Sequence, residues 1–278
     1  MTTPLLEVRD LDVSLGRLPK TKILHGVDLT VGPREIVGLI GETGSGKTTL
    51  ARAVLGLAPP DAGTIRIGGA DTTSLRGRAR RRFRRDGFVQ YVFQDPLRSL
   101  DPDRTVFESV AESLAIRGES RGVIAAAVAE ALELVELPSN LASRYPGQLS
   151  GGQRQRVAFA RAMAASPRLL ICDEPVSALD ASSRVRVLEM LERLRAERGL
   201  SIIMITHDLG TLAGLAESVT VLYRGRVVEQ GPTSHVLTRP THPYTQLLVS
   251  SVPTIDGRGA SADRRRELRD AVRALPAP

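Results

Sequence analysis

A chain of 278 residues with 42% hydrophobic content is long enough for one large α/β domain, or a domain with a subdomain, around a buried core. Its one cysteine, Cys172 in the apolar run LLIC, excludes an intramolecular disulfide and a multi-cysteine metal or iron–sulfur site, and fits a reducing, cytosolic setting as a small core side chain. A net charge of +7 points to anionic partners, nucleic acid or a membrane surface, while an aromatic content of 3% argues against base-stacking platforms for single strands.

The amino terminus, MTTPLLEVRD, lacks the basic start and continuous apolar stretch of a signal peptide. No later segment approaches bilayer-spanning length, so any membrane role is expected to come through a partner. Residues 5–31 alternate apolar and polar positions in LLEVRDLDV and ILHGVDLTV, which predicts half-buried antiparallel strands. The short apolar run EIVGLIG leads into GETGSGKT, a G-x-x-x-x-G-K-[ST] loop formed by Gly41, Glu42, Thr43, Gly44, Ser45, Gly46, Lys47 and Thr48. In such a loop, backbone N–H groups converge on phosphate oxygens, the lysine reaches the β and γ phosphates, and the threonine hydroxyl reaches Mg²⁺; Thr49 completes the set. Leu50, Ala53, Val54 and Leu57 then fall at helical spacing, with Pro59 and Pro60 expected to stop the helix.

The densest basic cluster follows, RGRARRRFRRD from Arg76 to Asp86. It reads either as a solvated surface segment or as a contact for anionic lipid or nucleic acid. Gln94 follows the strand FVQYVF, a residue placed to sense a metal or attacking water. From 95 to 166 the pattern is helical, with Val106, Val110 and Leu114 on one face and Ile124, Val128, Leu132 and Val135 on another. Strand signals resume in RLLICDEP and LSIIMITHD, separated by the amphipathic stretch Ser182–Arg198, as in a parallel sheet covered by helices. Beyond Gly231 the pattern weakens, and the charged final stretch from Thr254 reads as a peripheral helix or tail.

Four sites join the glycine loop. In LSGGQ, Leu149–Gln153, Ser150 and Gln153 have capping-box spacing. Gly151 and Gly152 lower helix propensity while stripping side chains from amides that attract anions. Asp173 ends an apolar strand as the natural Mg²⁺ partner; Glu174 beside it is a candidate base for water, expected to be held extended by Pro175. His207 ends the next strand, where an imidazole either serves structure or bonds a γ phosphate. Asp180 either caps the following helix or reaches across to a second subunit.

Taken in order, these residues resemble the nucleotide-binding subunit of ABC transporters over roughly residues 5–252: P-loop, Gln94 of the Q-loop, the LSGGQ signature, Walker B ending in Asp173 and Glu174, Asp180 of the D-loop and His207 of the switch. The resemblance implies an ATP hydrolase in which two subunits pack head to tail, with each ATP between the P-loop of one and the signature of the other. It also implies a fold of the P-loop NTPase type, a mostly parallel sheet with an antiparallel β edge and a helical subdomain. The expected regions are 1–94 for the core with its β region, 95–166 for the helical subdomain, 167–232 for the rest of the core, and 233–278 for a C-terminal extension. FQDPLRSLDP, CDEPVSALD and RPTHPYTQLLVSSVP are similar to the oligopeptide, dipeptide and nickel importers, some of which carry a C-terminal cysteine cluster that this chain lacks.

The partners so implied are a second ATPase subunit in a heterodimer, two transmembrane permease subunits at the cytoplasmic face of the membrane, and an extracytoplasmic solute-binding protein, with no nucleic acid. A soluble ABC-type ATPase acting on nucleic acid or ribosomes is the alternative. One departure stands out. Leu15 and Gly16 occupy the place where family members carry an adenine-stacking aromatic, and no Phe, Tyr or Trp precedes Phe83. Arg17 offers a planar substitute, and weak discrimination between ATP and GTP is expected.

Overall fold

The computed structural model describes residues 3–17, 19–95, 99–251 and 261–275. Part of FQDPLRSLDP and the end of RPTHPYTQLLVSSVP therefore lie outside the described residues. The chain divides into two compact units: Met1–Thr73 with Met204–Pro278, and Ser74–Ile203.

In the first unit, β1 (Leu6–Leu15), β2 (Thr21–Val31), β4 (Ala62–Ile67) and β5 (Ala70–Asp71) form an antiparallel sheet in the order β2-β1-β4-β5. Its inward side chains Leu6, Val8, Leu11 and Val13 are fully buried, as are Leu24 and Val27 of β2. The spacing from Val8 to Leu11 and from Leu24 to Val27 is three residues, so strict alternation fails once in each strand. The first register shift lies between Val8 and Leu11, where Asp10 takes φ 46° and its N–H donates to Asp28. On β2, Gly26 takes φ 59° and its N–H donates to Asp12 at 2.8 Å. These paired bulges keep both apolar sets on one face.

A second set of strands starts from β3 (Ile36–Ile40), buried at every position. β9 (Ser218–Tyr223) pairs parallel with β3 and antiparallel with β10 (Arg226–Pro232). After the glycine loop comes α1 (Lys47–Val54). It ends before the prolines expected to stop it, and Leu57 is 54% exposed. The stop is Gly56, whose φ of 66° lies in the left-handed region that glycine enters without the cost a Cβ would bring. The carbonyl of Arg52 then accepts from Leu57 and Ala58 at 2.8 and 3.1 Å.

The second unit holds the parallel pair β6 (Val89–Val92) and β7 (Leu169–Asp173). Leu169, Leu170, Ile171 and Cys172 are fully buried, the continuous apolar run expected of a strand covered on both faces. The basic cluster is a helix, α2 (Gly77–Asp86), without a buried residue. Then follow α3 (Val106–Arg117), α4 (Arg121–Leu134), two 3-10 turns, α5 (Gly151–Ala164) and α6 (Ala181–Arg198). Among these helices α3 packs on α4 and α5, and Val106, Val110, Leu114, Val128, Leu132 and Phe159, which they carry, are buried.

β8 (Ser201–Ile205) is buried throughout. It precedes α7 (Leu209–Leu215), and after β10 come α8 (Thr233–Thr238), α9 (Pro243–Ser250) and α10 (Ala262–Arg273). Among the described residues, the weak pattern beyond Gly231 thus conceals three short helices. Among the described residues no helix is long and apolar enough to cross a membrane.

Candidate nucleotide site

The glycine loop leaves β3 at Gly41 and enters α1 at Lys47, the strand–loop–helix context its motif requires. Gly41 takes φ 154°, and a Cβ there would lie 2.1 Å from the carbonyl oxygen of Leu222. At Gly46, φ 110°, a Cβ would press on Leu24 at 2.6 Å. Side chains are thus excluded at both ends of the loop, which lies against β9. No side chain caps α1, so its first N–H groups are not taken up by a cap and face the anion-attracting end of the helix dipole.

Lys47 Nζ donates to the carbonyls of Gly41 and Glu42 at 2.6 and 2.8 Å and approaches Ser45 Oγ at 3.4 Å. The ammonium is thereby held over the loop. Thr43, Gly44 and Thr48 are exposed, whereas Ser45 and Thr49 are buried. The Thr48 hydroxyl is available at the start of α1; Thr49 packs inward and serves the core. His207 follows β8 as an exposed side chain. Its neighbour Asp208 caps α7, accepting from the N–H groups of Gly210 and Thr211 at 3.0 and 3.2 Å.

In the second unit Asp173 ends β7 with its carboxylate half-buried, and the Tyr91 hydroxyl of β6 donates to its Oδ2. Sequence reasoning missed Tyr91, because a tyrosine in an apolar strand gives no sign of where its hydroxyl points. Glu174 is not extended. Its φ is 46°, the left-handed region that non-glycine residues adopt at about 1–2 kcal/mol. Pro175 does exclude right-handed helical angles, but the chain reverses here: the Glu174 carbonyl accepts from Ser177 N–H at 3.3 Å and Oγ at 3.1 Å. The strained turn brings the carboxylate to Gln94, whose Nε2 donates to Glu174 Oε2 at 2.7 Å. Two residues 80 apart in sequence, singled out separately, are thus joined.

The LSGGQ segment begins α5 with the capping box its spacing predicts. Ser150 Oγ accepts from Gln153 N–H at 3.2 Å and Gln153 Oε1 accepts from Ser150 N–H at 2.9 Å. Ser150 and Gly151 are exposed while Leu149 is buried. Asp180 is the cap of α6, accepting from Ser182 Oγ at 2.7 Å and Ser183 N–H at 2.9 Å. Those donors hold its carboxyl well below the usual carboxylate range.

Thr48 in the first unit offers a hydroxyl, and in the second unit the Asp173 carboxylate, fixed by the Tyr91 phenol, and the Gln94 side chain are oxygen donors of the kind that suit a hard cation such as Mg²⁺. Among the described residues no cluster of three or more His, Cys, Asp or Glu could hold a metal by itself.

A glycine loop at the carboxyl edge of a buried strand, a capped LSGGQ helix and a DE strand end define an ATP-binding cassette. The chain belongs to the ABC transporter family, whose profile matches residues 24–177, and it is an ATP hydrolase of that family. Residues 228–277 match the oligopeptide/dipeptide transporter C-terminal region. A protein of Brucella ovis named for peptide import and ATP binding is 42% identical over 278 residues, covering 99% of this chain and 86% of that protein. The oligopeptide transport ATP-binding protein OppF of Salmonella typhimurium is 40% identical over 286 residues, covering 99% and 84%. Among solved structures, CbiO1 of Clostridium perfringens, part of the ABC transporter complex CbiONQ, superposes with a TM-score of 0.76 at 27% identity over 85% of this chain and 91% of that one. A dimeric ATP-binding cassette in a post-hydrolysis state with ADP and phosphate gives 0.73 at 29% identity, covering 82% and 98%.

Proposed function

We propose that this chain is the ATP-hydrolysing subunit that powers import of a solute, oligopeptide or dipeptide rather than nickel or a metal chelate, through separate transmembrane subunits. The observation that carries the reading is the match of residues 228–277 to the C-terminal region of oligopeptide and dipeptide transporters, joined to a cassette in the same chain. The relatives named for peptide transport support it. A nucleic-acid or ribosome ATPase is not favoured, because the named relatives serve transport.

In this reading Lys47 and the amides of the Gly41–Thr48 loop other than Glu42, whose N–H is given to Tyr244, hold the phosphates. Thr48, Asp173 and Gln94 would hold Mg²⁺, which would supply neutralisation of phosphate charge. Glu174, steered by the Gln94 amide, orients and deprotonates water, and His207 bonds the γ phosphate. Ser150, Gly151, Gly152 and Gln153 complete the site of a second ATPase subunit, with Asp180 at the boundary. Chemistry is positioning and charge neutralisation.

The functional regions are assigned to 1–94, 95–166, 167–232 and 233–278. The subunit works at the cytoplasmic face of the membrane, peripheral to two permease subunits that receive solute from an extracytoplasmic binding protein. A groove of about 1010 Å³ in the helical subdomain, lined by Phe107, Ala111 and Ile116 among others, supports contact with a permease helix; Ile116 is 65% exposed.

The deciding substitution is Glu174→Gln. Turnover of the assembled transporter is expected to fall by at least about 10²-fold while ATP binding persists, with an ATP-bound closed pair accumulating. Unchanged steady-state hydrolysis would remove Glu174 from the role of base. Uptake of labelled di- and oligopeptides against nickel by vesicles holding the complex tests the cargo.

A further inference from the structure

We propose that Tyr244 is a positioning residue for the phosphate-binding loop, through which the C-terminal extension sets the nucleotide affinity of the site; this rests on reading Gly41–Thr48 as that site. Tyr244 is fully buried, and its hydroxyl accepts from the Glu42 N–H at 2.7 Å across 202 residues of sequence. Its ring lies on Tyr223 at 4.2 Å between centroids with planes 31° apart. Two residues after Tyr223, the Gly225 N–H donates to the Ser45 carbonyl at 2.9 Å. The loop is therefore held at Glu42 by α9 and at Ser45 by the β9–β10 turn, and the two holds are joined by the stacked tyrosines. Thr43 and Gly44 between them are exposed.

The Tyr244 hydroxyl is placed by a chain of contacts that starts on β10. Glu229 accepts from Thr241 N–H at 2.8 Å, Thr241 Oγ1 at 3.1 Å and His242 N–H at 3.0 Å. Burial raises the Glu229 pKa, yet these donors hold it below its ordinary value. The carboxylate thus fixes the approach to α9. His242 Nδ1 then accepts from the Tyr244 N–H at 3.2 Å and Pro243 opens the helix. Gln246 Nε2 closes back on the Pro240 carbonyl at 3.0 Å. The RPTHPYTQ segment is a brace: a carboxylate fixes its turn, the turn caps a helix, and the helix aims one phenol at one loop amide.

A hydrogen bond to the Glu42 amide keeps that peptide from rotating, so the N–H groups further along meet a phosphate already ordered. Loss of the hydroxyl leaves the ring packing intact and frees the loop. The ordering entropy is then drawn from binding.

The test uses the full chain and isothermal titration with ATP and ADP. For Tyr244→Phe the dissociation constant is expected to rise about fivefold, with KM rising alike, kcat within twofold and the melting temperature nearly unchanged. Glu229→Gln, remote from the loop, is expected to weaken binding in the same direction, and the double variant to fall short of the product of the two. Lys47→Ala separates the readings. If Lys47→Ala abolishes ATP binding and Tyr244→Phe leaves it unchanged, the brace is refuted and the site stands. If Lys47→Ala binds ATP normally, the site itself is misassigned. A Tyr244→Phe loss confined to melting temperature or to kcat likewise overturns the proposal.

Discussion

Adjacent glycines in LSGGQ owe their identity to different causes. A Cβ on Gly152 would come within 2.9 Å of Ser183 Oγ, whereas nothing lies within 4 Å of one on Gly151. Gly151 has no positive φ either, so neither packing nor backbone conformation requires glycine there. Glycine lowers helix stability by roughly 0.5–1 kcal/mol relative to alanine, and a cost with no local return points to a ligand. For Gly151→Ala, stability is expected to hold or to rise by up to about 0.5 kcal/mol while ATP hydrolysis by the assembled subunits falls. Thermal unfolding and steady-state turnover on the same preparation check both signs; undiminished turnover would mean that no ligand needs bare backbone at that position.

At the scale of elements, α2 shows what a sequence reading by apolar periodicity passes over. Arg78, Arg81, Arg82 and Arg85 occupy i, i+3, i+4 and i+7 and are all exposed, so the helix has a cationic stripe and no apolar face to announce it. What ends it is Gly87 at φ 72° and the guanidinium of Arg117, which donates to the carbonyls of Arg85 and Asp86 at 3.0 and 2.9 Å. Like charges four residues apart, Arg78 with Arg82 and Arg81 with Arg85, destabilise a helix by a few tenths of a kcal/mol each. The ion pair of Arg82 with Asp86, 3.8 Å and exposed, offsets little of this. Arg81→Glu removes one repulsion and creates a Glu-to-Arg pair at i,i+4, so stability is expected to rise by about 0.2–0.5 kcal/mol. The gain should shrink in 1 M salt, where screening acts within about 3 Å. Urea midpoints at low and high salt measure it, and a lower midpoint at low salt would show that the stripe is balanced by a contact of Arg81 which the substitution breaks.

Across the whole molecule, what the sequence revealed and what it hid divide by range. The glycine loop, the capping box of Ser150 and Gln153, the buried run into Asp173 and the cap at Asp180 are local devices, each legible because its residues lie within a few positions of one another. Tyr91 on Asp173, Gln94 on Glu174 and Tyr244 on Glu42 join residues 82, 80 and 202 apart, and no local pattern encodes such pairs. The bulge at Asp10 was written in the three-residue step from Val8 to Leu11 but is easily absorbed into an alternating reading.

The signature segment is subject to the same reasoning about range, carried beyond one chain. Ser150 and Gly151 face solvent at a helix start whose dipole attracts anions, and under the proposed head-to-tail pairing their phosphate belongs to a mate. Hydrolysis then requires two cassettes, so the rate per chain should fall on dilution through the pair's dissociation constant and recover when the mate is added in excess. Where the mate is a second copy of this chain, mixing Lys47→Ala and Ser150→Arg forms should restore part of the turnover each lacks, because one of the two sites in a mixed pair keeps both intact halves; with a distinct mate, either variant alone should keep one intact site. A rate per chain that stays constant from micromolar to nanomolar concentration, with no recovery on mixing, would show each site to be complete within a single polypeptide.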